Sequence, residues 1–299
     1  MRLRLLFFAG VLLIAGCGSP SKNSHATPGT LEALTQGQER TVALTPGDAD
    51  FAPGDVRFTF LVIGNDGRVL LKPHASVWLS RGLKEKPFQR TTATLEPIGI
   101  PGVSAAPNNV PSIYVVHLRV PAAGTYWVLA RPQGSPIAGL GNLVVRDRAF
   151  SPAVGAAAPR SETPTLSTTG GRLAPLTTST RPDRALYTTS VAEALADHKP
   201  FVAAFATPKF CTSRTCGHVV DVVSHVRKQF AGTPVKFIHV EVFRNNNPAN
   251  GYNRWMKEWK LQSEPWVFLV GGDGTIKAKF EGSVSAAELR AAVRSKLAS

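Results

Sequence analysis

From Pro200 to Ala206 the chain runs without a polar residue, and shortly afterwards its apolar spacing turns helical. A short unbroken apolar run reads as a strand buried on both faces. Val219, Val223, Val226 and Phe230 then recur at helical spacing, with Val220 and Val222 widening the stripe. Val235 to Phe243 forms a second long apolar stretch. A strand, a helix and a strand in this order make a parallel, right-handed crossover. That unit constrains the fold more than any other feature of the chain. Between its first strand and its helix lies FATPKFCTSRTC, residues 205–216, in which four residues separate Cys211 from Cys216.

The flanking sequence completes an α/β pattern over residues 185–299. Ser190 and Glu193 form a capping box that opens a short helix to about His198, and Ser285 and Glu288 form another. Tyr252, Trp255, Met256 and Trp259 mark a helix, and Leu289, Val293 and Leu297 stripe the last one. Trp266–Val270, the glycine-rich turn 271–274 and Thr275–Phe280 read as an antiparallel hairpin.

Residues 39–150 carry a different signature. Val56, Phe58, Phe60 and Val62 alternate with Arg57, Thr59 and Leu61, and IYVVHLRV at 113–120 alternates again. Asn65-Asp66-Gly67 is a turn signal followed by Val69–Leu71. Several short strands with Gly/Pro turns predict an immunoglobulin-like β-sandwich without helices. His74 and His117 are the titratable candidates of this region; His117, on the polar phase of its strand beside Arg119, reads as a solvated histidine, and no second histidine lies at metal spacing. Residues 151–184 are rich in Pro, Ala, Ser, Thr and Gly and read as an extended connector, with Leu166, Leu173 and Leu176 available to pack on the next domain.

The N-terminus predicts export. Arg2 and Arg4 precede an apolar core, Leu5–Ile14, that is too short to span a bilayer. Ile14-Ala15-Gly16-Cys17 closes that core and resembles the lipobox of bacterial lipoproteins. The resemblance implies a signal peptide at 1–16, lipidation of Cys17, a Ser/Thr/Pro/Gly tether over 17–38, and a lipid-anchored place on the outer face of the bacterial cytoplasmic membrane. More than one acyl chain gives stable anchoring. The chain has three cysteines, so with Cys17 lipidated, Cys211 and Cys216 have only each other. Outside the cytoplasm such a pair favours a disulfide over zinc. The net charge is +14, reduced by two when cleavage removes Arg2 and Arg4. In an exported chain this charge points to anionic headgroups, envelope polymers or a merely solvated surface, and not to nucleic acid.

The order βαβ, helix, ββα resembles the thioredoxin fold, with Cys211 and Cys216 where thioredoxin-like proteins keep their redox pair, in an atypical CxxxxC spacing. Ser263-Glu264-Pro265-Trp266 resembles the family's cis-proline segment, which faces the cysteines. The resemblance implies two domains: an all-β sandwich and a C-terminal thioredoxin-like α/β fold. It implies thiol–disulfide exchange with exported protein thiols or disulfides and with a membrane redox partner. Cys211 would attack, Cys216 would resolve, Pro265 would be cis and shape the groove, and no cofactor or metal would be needed. Arg214 and Lys209 make the local field positive, which lowers a thiol pKa, while Glu264 acts the other way, with Trp266 beside it.

Geometry limits how the pair can meet. Five residues along one helix separate two cysteines by about 7.5 Å and about 140°. A disulfide needs Cα atoms within about 7 Å. Cys211 is therefore expected in the loop leaving the strand, with Ser213 as an N-cap and Cys216 in the first turn. Two further readings stay open: a redox-inert binding module whose disulfide staples the helix, and Sco-like copper handling. The copper family uses CxxxC and a late histidine, whereas no histidine follows His239 here. The peroxiredoxin PxxxTxxC motif is absent.

Overall fold

The computed structural model describes residues 26–36, 38, 40–100, 110–210 and 219–298. Seven strands form its first half: β1 (Arg40–Pro46), β2 (Gly54–Val62), β3 (His74–Ser80), β4 (Gln89–Pro97), β5 (Ser112–Val120), β6 (Gly124–Pro132) and β7 (Ile137–Val145). The alternation read in β2 and β5 is real. Val56, Phe58, Phe60 and Val62 join Tyr114, Val116 and Leu118 in one interior core. These strands, however, form a closed barrel in the order β1-β2-β5-β4-β3-β6-β7, not two packed sheets. The expected pairing of an immunoglobulin-like sandwich with a thioredoxin-like α/β domain is thus corrected. The chain is a barrel followed by a second, four-stranded sheet with few helices.

Closure depends on β1, which pairs antiparallel with β2 and parallel with β7. Two glycines of β7 make room for it. A Cβ at Gly139 would stand 2.9 Å from Val62 Cγ2, and one at Gly141 would stand 3.0 Å from the Leu44 carbonyl oxygen. Inward/outward alternation is the same in a sandwich and in a barrel, so strand pattern alone could not separate them. The hairpin partner expected at Val69–Leu71 is reduced to a single bridge between Ile63 and Val69. Helix α1 (Leu31–Gln36) falls in the segment expected to be tether, and its fully buried Leu31 packs with Trp78, Leu129 and Ala138 on the barrel wall.

The second half contains α2 (Val191–Ala196), β8 (Phe201–Phe205), α3 (Val219–Gln229), β9 (Lys236–Val240), α4 (Arg254–Glu258), β10 (Trp266–Val270), β11 (Ile276–Glu281) and α5 (Ala286–Lys296). Strand order is β11-β10-β8-β9, with β8 and β9 parallel and the other neighbours antiparallel. The parallel β8–α3–β9 crossover and the antiparallel β10–β11 hairpin are those the sequence predicts. All five residues of β8 are buried, because each face of the sheet is covered. Val202 and Ala204 pack with α3 and α5, whereas Phe201, Ala203 and Phe205 pack with α2, α4 and Trp259. The connector belongs to this packing: Leu176 is buried in the first of these cores, and Leu166 and Leu173 lie against it. Both expected capping serines accept the backbone N–H of the glutamate three residues on. Among the described residues no helix is long and apolar enough to cross a membrane.

Arg57 makes one of the contacts by which the two halves meet. Arg57 of β2 donates to both Glu288 carboxylate oxygens at 2.7 and 2.9 Å, and to the carbonyls of Glu281 and Ser283. Its side chain is one-tenth exposed. Asp48 stands 3.9 Å away, beyond hydrogen-bond reach, and instead accepts the Thr59 N–H. Burial pushes the Asp48 carboxyl up to about 8, against the opposing pull of Arg57. Gly282 lies beneath this contact with φ +69°, and a Cβ there would come within 2.4 Å of the Gly47 carbonyl oxygen. Removing one partner of a shielded ion pair strands the other, so Arg57→Ala is expected to cost about 3 kcal/mol in urea unfolding. A loss below about 0.5 kcal/mol, the level of an ordinary surface change, would contradict the docking role.

Candidate functional site

Cys17, Cys211, Ser213, Arg214 and Cys216 lie outside the described residues. The described part of the site is the ground on either side of residues 211–218. On one side β8 ends at Phe205 and delivers Ala206–Phe210. On the other, Gln262–Pro265 lead into β10, and the Glu264–Pro265 peptide is cis. Thr207 N–H donates to Glu264 Oε2 at 3.2 Å, so the chain leaving β8 is tied to the cis-proline segment. Trp266 is buried; it stacks on Phe268 and donates its indole N–H to Ser263 Oγ.

A second carboxylate lies below, and the sequence reading passed it over. Period two along the strand puts Phe237, His239 and Glu241 on one face, although Glu241 is one residue beyond β9. Glu241 is 5% exposed. Its Oε1 accepts both the N–H and the hydroxyl of Thr178, and its Oε2 is buried without a hydrogen-bond partner among the described residues. Thr178 Oγ1 also accepts the Lys209 N–H. A connector threonine therefore joins Glu241 to the chain two residues before Cys211. The available signal was a lone carboxylate inside the apolar stretch 235–243.

His239 completes the buried polar group. Its Nε2 faces the Ala206 carbonyl at 3.0 Å, and since a carbonyl only accepts, Nε2 carries the hydrogen. Nδ1 then accepts from the Tyr187 hydroxyl at 2.8 Å. Burial pushes the His239 pKa down, with the nearby Glu241 charge opposing, and pushes the Tyr187 pKa up. Both nitrogens are engaged, which makes His239 a strut under Ala206 and not a free ligand.

Glu264 is half-buried and lies nearer the surface than Glu241. Burial raises its carboxyl to about 7; the Thr207 N–H opposes the shift and the Glu241 charge adds to it. Above it opens a groove of about 640 Å³, lined by Lys209, Phe210, Phe243, Pro248, Tyr252 and residues 262–264. Phe243 and Tyr252 stack at 5.5 Å to form one wall. Burial, and then the charge of Glu264, push the Tyr252 phenol up. The arrangement is an open, partly apolar trough with a carboxyl of raised pKa in its floor.

No protein-family model matches the chain, and no curated protein does. Among solved structures it is similar to a thiol:disulfide interchange protein of the thioredoxin family from Chlorobium tepidum. That match has 14% identity and a TM-score of 0.31, and covers 49% of this chain and 99% of that one. It is also similar to a structure described as DsbH oxidoreductase, with 23% identity and a TM-score of 0.26, covering 40% of this chain and 91% of the other.

The raised Glu264 carboxyl fixes the sign of a pH effect. Its ordinary value is 4.5, so between there and about 7 the folded chain holds a proton that the unfolded chain has lost. Stability therefore falls as pH rises through that window. Glu264→Gln keeps an oxygen for the Thr207 N–H but does not titrate. Relative to this variant, the wild type is expected to lose on the order of 3 kcal/mol between pH 4.5 and pH 7.5 in denaturant titrations. Parallel pH profiles for the two proteins would contradict the assignment.

Proposed function

We propose that this protein is a thiol–disulfide oxidoreductase working through Cys211 and Cys216 on exported proteins, held at the outer face of the cytoplasmic membrane by a lipid on Cys17. The observation that carries the reading is the Thr207–Glu264 hydrogen bond, which sets the chain leading to Cys211 beside the cis-proline segment. The groove along that segment is open and partly apolar, as the docking of an extended polypeptide requires. The apolar core at Leu5–Ile14 and the cysteine that ends it support the anchor.

In the reductive direction the Cys211 thiolate attacks one sulfur of a substrate disulfide. The S–S bond breaks, the other substrate sulfur leaves as a thiolate and takes up a proton, and a mixed disulfide remains. The Cys216 thiolate then attacks Cys211 sulfur, releases the second substrate thiol and closes the Cys211–Cys216 disulfide. The substrate gains two electrons and the pair loses two. Oxidation runs the same steps backwards. Glu264, titrating at about 7, is suited to hold and return the proton that each thiolate exchange moves.

The test is dithiothreitol-driven insulin reduction by the full chain. Cys211→Ser is expected to bring turnover to the uncatalysed background, and Cys216→Ser to accumulate the mixed disulfide, visible on a non-reducing gel. A wild-type rate no faster than that of Cys211→Ser would overturn the proposal and leave the pair as an inert staple.

A further inference from the structure

The barrel does more than sit beside the groove. A crevice of about 180 Å³ between the two halves is walled by Ala49, Asp50, Arg146 and Phe150 from the barrel side and by Trp266 and Glu281 from the sheet. Gln262 and Ser263 line both this crevice and the main groove, so the two adjoin at these residues just ahead of the cis-proline. Glu281 fastens the walls together. Its Oε1 accepts the Ser263 hydroxyl at 2.6 Å, and its Oε2 accepts the backbone N–H groups of Ala49 and Asp50 at 2.8 and 2.7 Å.

Phe150 is held in place and left open. Asp50 accepts the Phe150 N–H at 2.8 Å and both donors of Ser151, fixing the backbone under Phe150. Arg146 covers one ring face at 4.6 Å, yet Phe150 stays 40% exposed. The exposed Gln262 amide makes no hydrogen bond to another described residue. A cavity of about 150 Å³ accepts a benzene ring, so this crevice has room for one aromatic side chain. It is too open to enclose a free small molecule, whereas ligand pockets bury most of their ligand.

We propose that the barrel supplies a specificity subsite: the crevice takes an aromatic side chain of an extended polypeptide whose backbone crosses Gln262 and Ser263 into the main groove. The inference rests on the oxidoreductase reading for why a polypeptide lies there, but it is tested without redox chemistry. The probe is a fluorescein-labelled Ala-Ser-Ser-Phe-Ser-Ser-Ala peptide, titrated by fluorescence anisotropy onto full-length protein carrying Cys211→Ser and Cys216→Ser. Adding Phe150→Ala is expected to weaken binding about tenfold. Phe88→Ala, which removes a different exposed barrel phenylalanine, is expected to leave it unchanged. A control peptide with serine in place of phenylalanine is expected to be insensitive to Phe150→Ala. Equal affinity with and without Phe150, equal loss in both variants, no binding of the phenylalanine peptide, or equal competition by N-acetyl-phenylalaninamide would each overturn the subsite. Insulin reduction by the wild type separates the two ideas: Phe150-dependent binding without turnover overturns only the oxidoreductase reading, and turnover without such binding overturns only the subsite.

Discussion

The hydrogen bond from the Thr207 N–H to Glu264 spans the gap between the strand that leads toward the cysteines and the segment that carries the cis-proline. Its acceptor is partly buried, and a second carboxylate, Glu241, lies close enough to act on it through its charge. Two carboxylates withdrawn from water cannot share a site without cost. Glu241 receives two donors from Thr178, whereas Glu264 receives the single N–H of Thr207. Burial above all raises the Glu264 carboxyl to about 7, and it lies in the floor of the groove. The tie that orders the chain and the group that can move a proton are one side chain.

That arrangement needs support from outside the sheet, and two long-range contacts give it. Thr178, from the stretch that looked like a connector, sits beneath residues 207–209 and bonds to both Glu241 and the Lys209 N–H. Glu281, at the end of β11, holds Ser263 with one oxygen and the barrel backbone with the other. The barrel is thus joined to the cis-proline segment through a single carboxylate, and the Arg57–Glu288 pair fastens the same face a short way off. The left-handed backbone at Gly282 lets the two halves approach at that point.

Most of the second half was legible because its signals are local. An unbroken apolar run, helical valine spacing, two capping boxes and a glycine-rich turn each fix an element within a few residues. Their order constrains the topology, because parallel crossovers have one hand. The barrel was legible only in some of its strands: β1 and β4 left no reading in the sequence, and nothing marked the set as a barrel. Closure depends on β1 meeting β7 across almost 100 residues and on the absence of side chains at Gly139 and Gly141, which alternation does not record. Helix α1 escaped notice because only its packing on Trp78 and Leu129 distinguishes it from tether. Of the site, Glu264 and Pro265 could be named from their place before β10. Glu241, Thr178 and Glu281 could not, because each acts through partners that are distant in sequence.

The central claim is that the Cys211–Cys216 pair is exchangeable and not a fixed staple. Its reduction potential, read by thiol titration of the full chain in glutathione and dithiothreitol buffers, addresses that claim most directly. Structural disulfides of exported proteins fall below about −300 mV. An exchangeable pair is expected above that limit, in the range where cellular dithiols can pass electrons to and from it. A value below it would contradict the account and assign the cysteines to holding the fold.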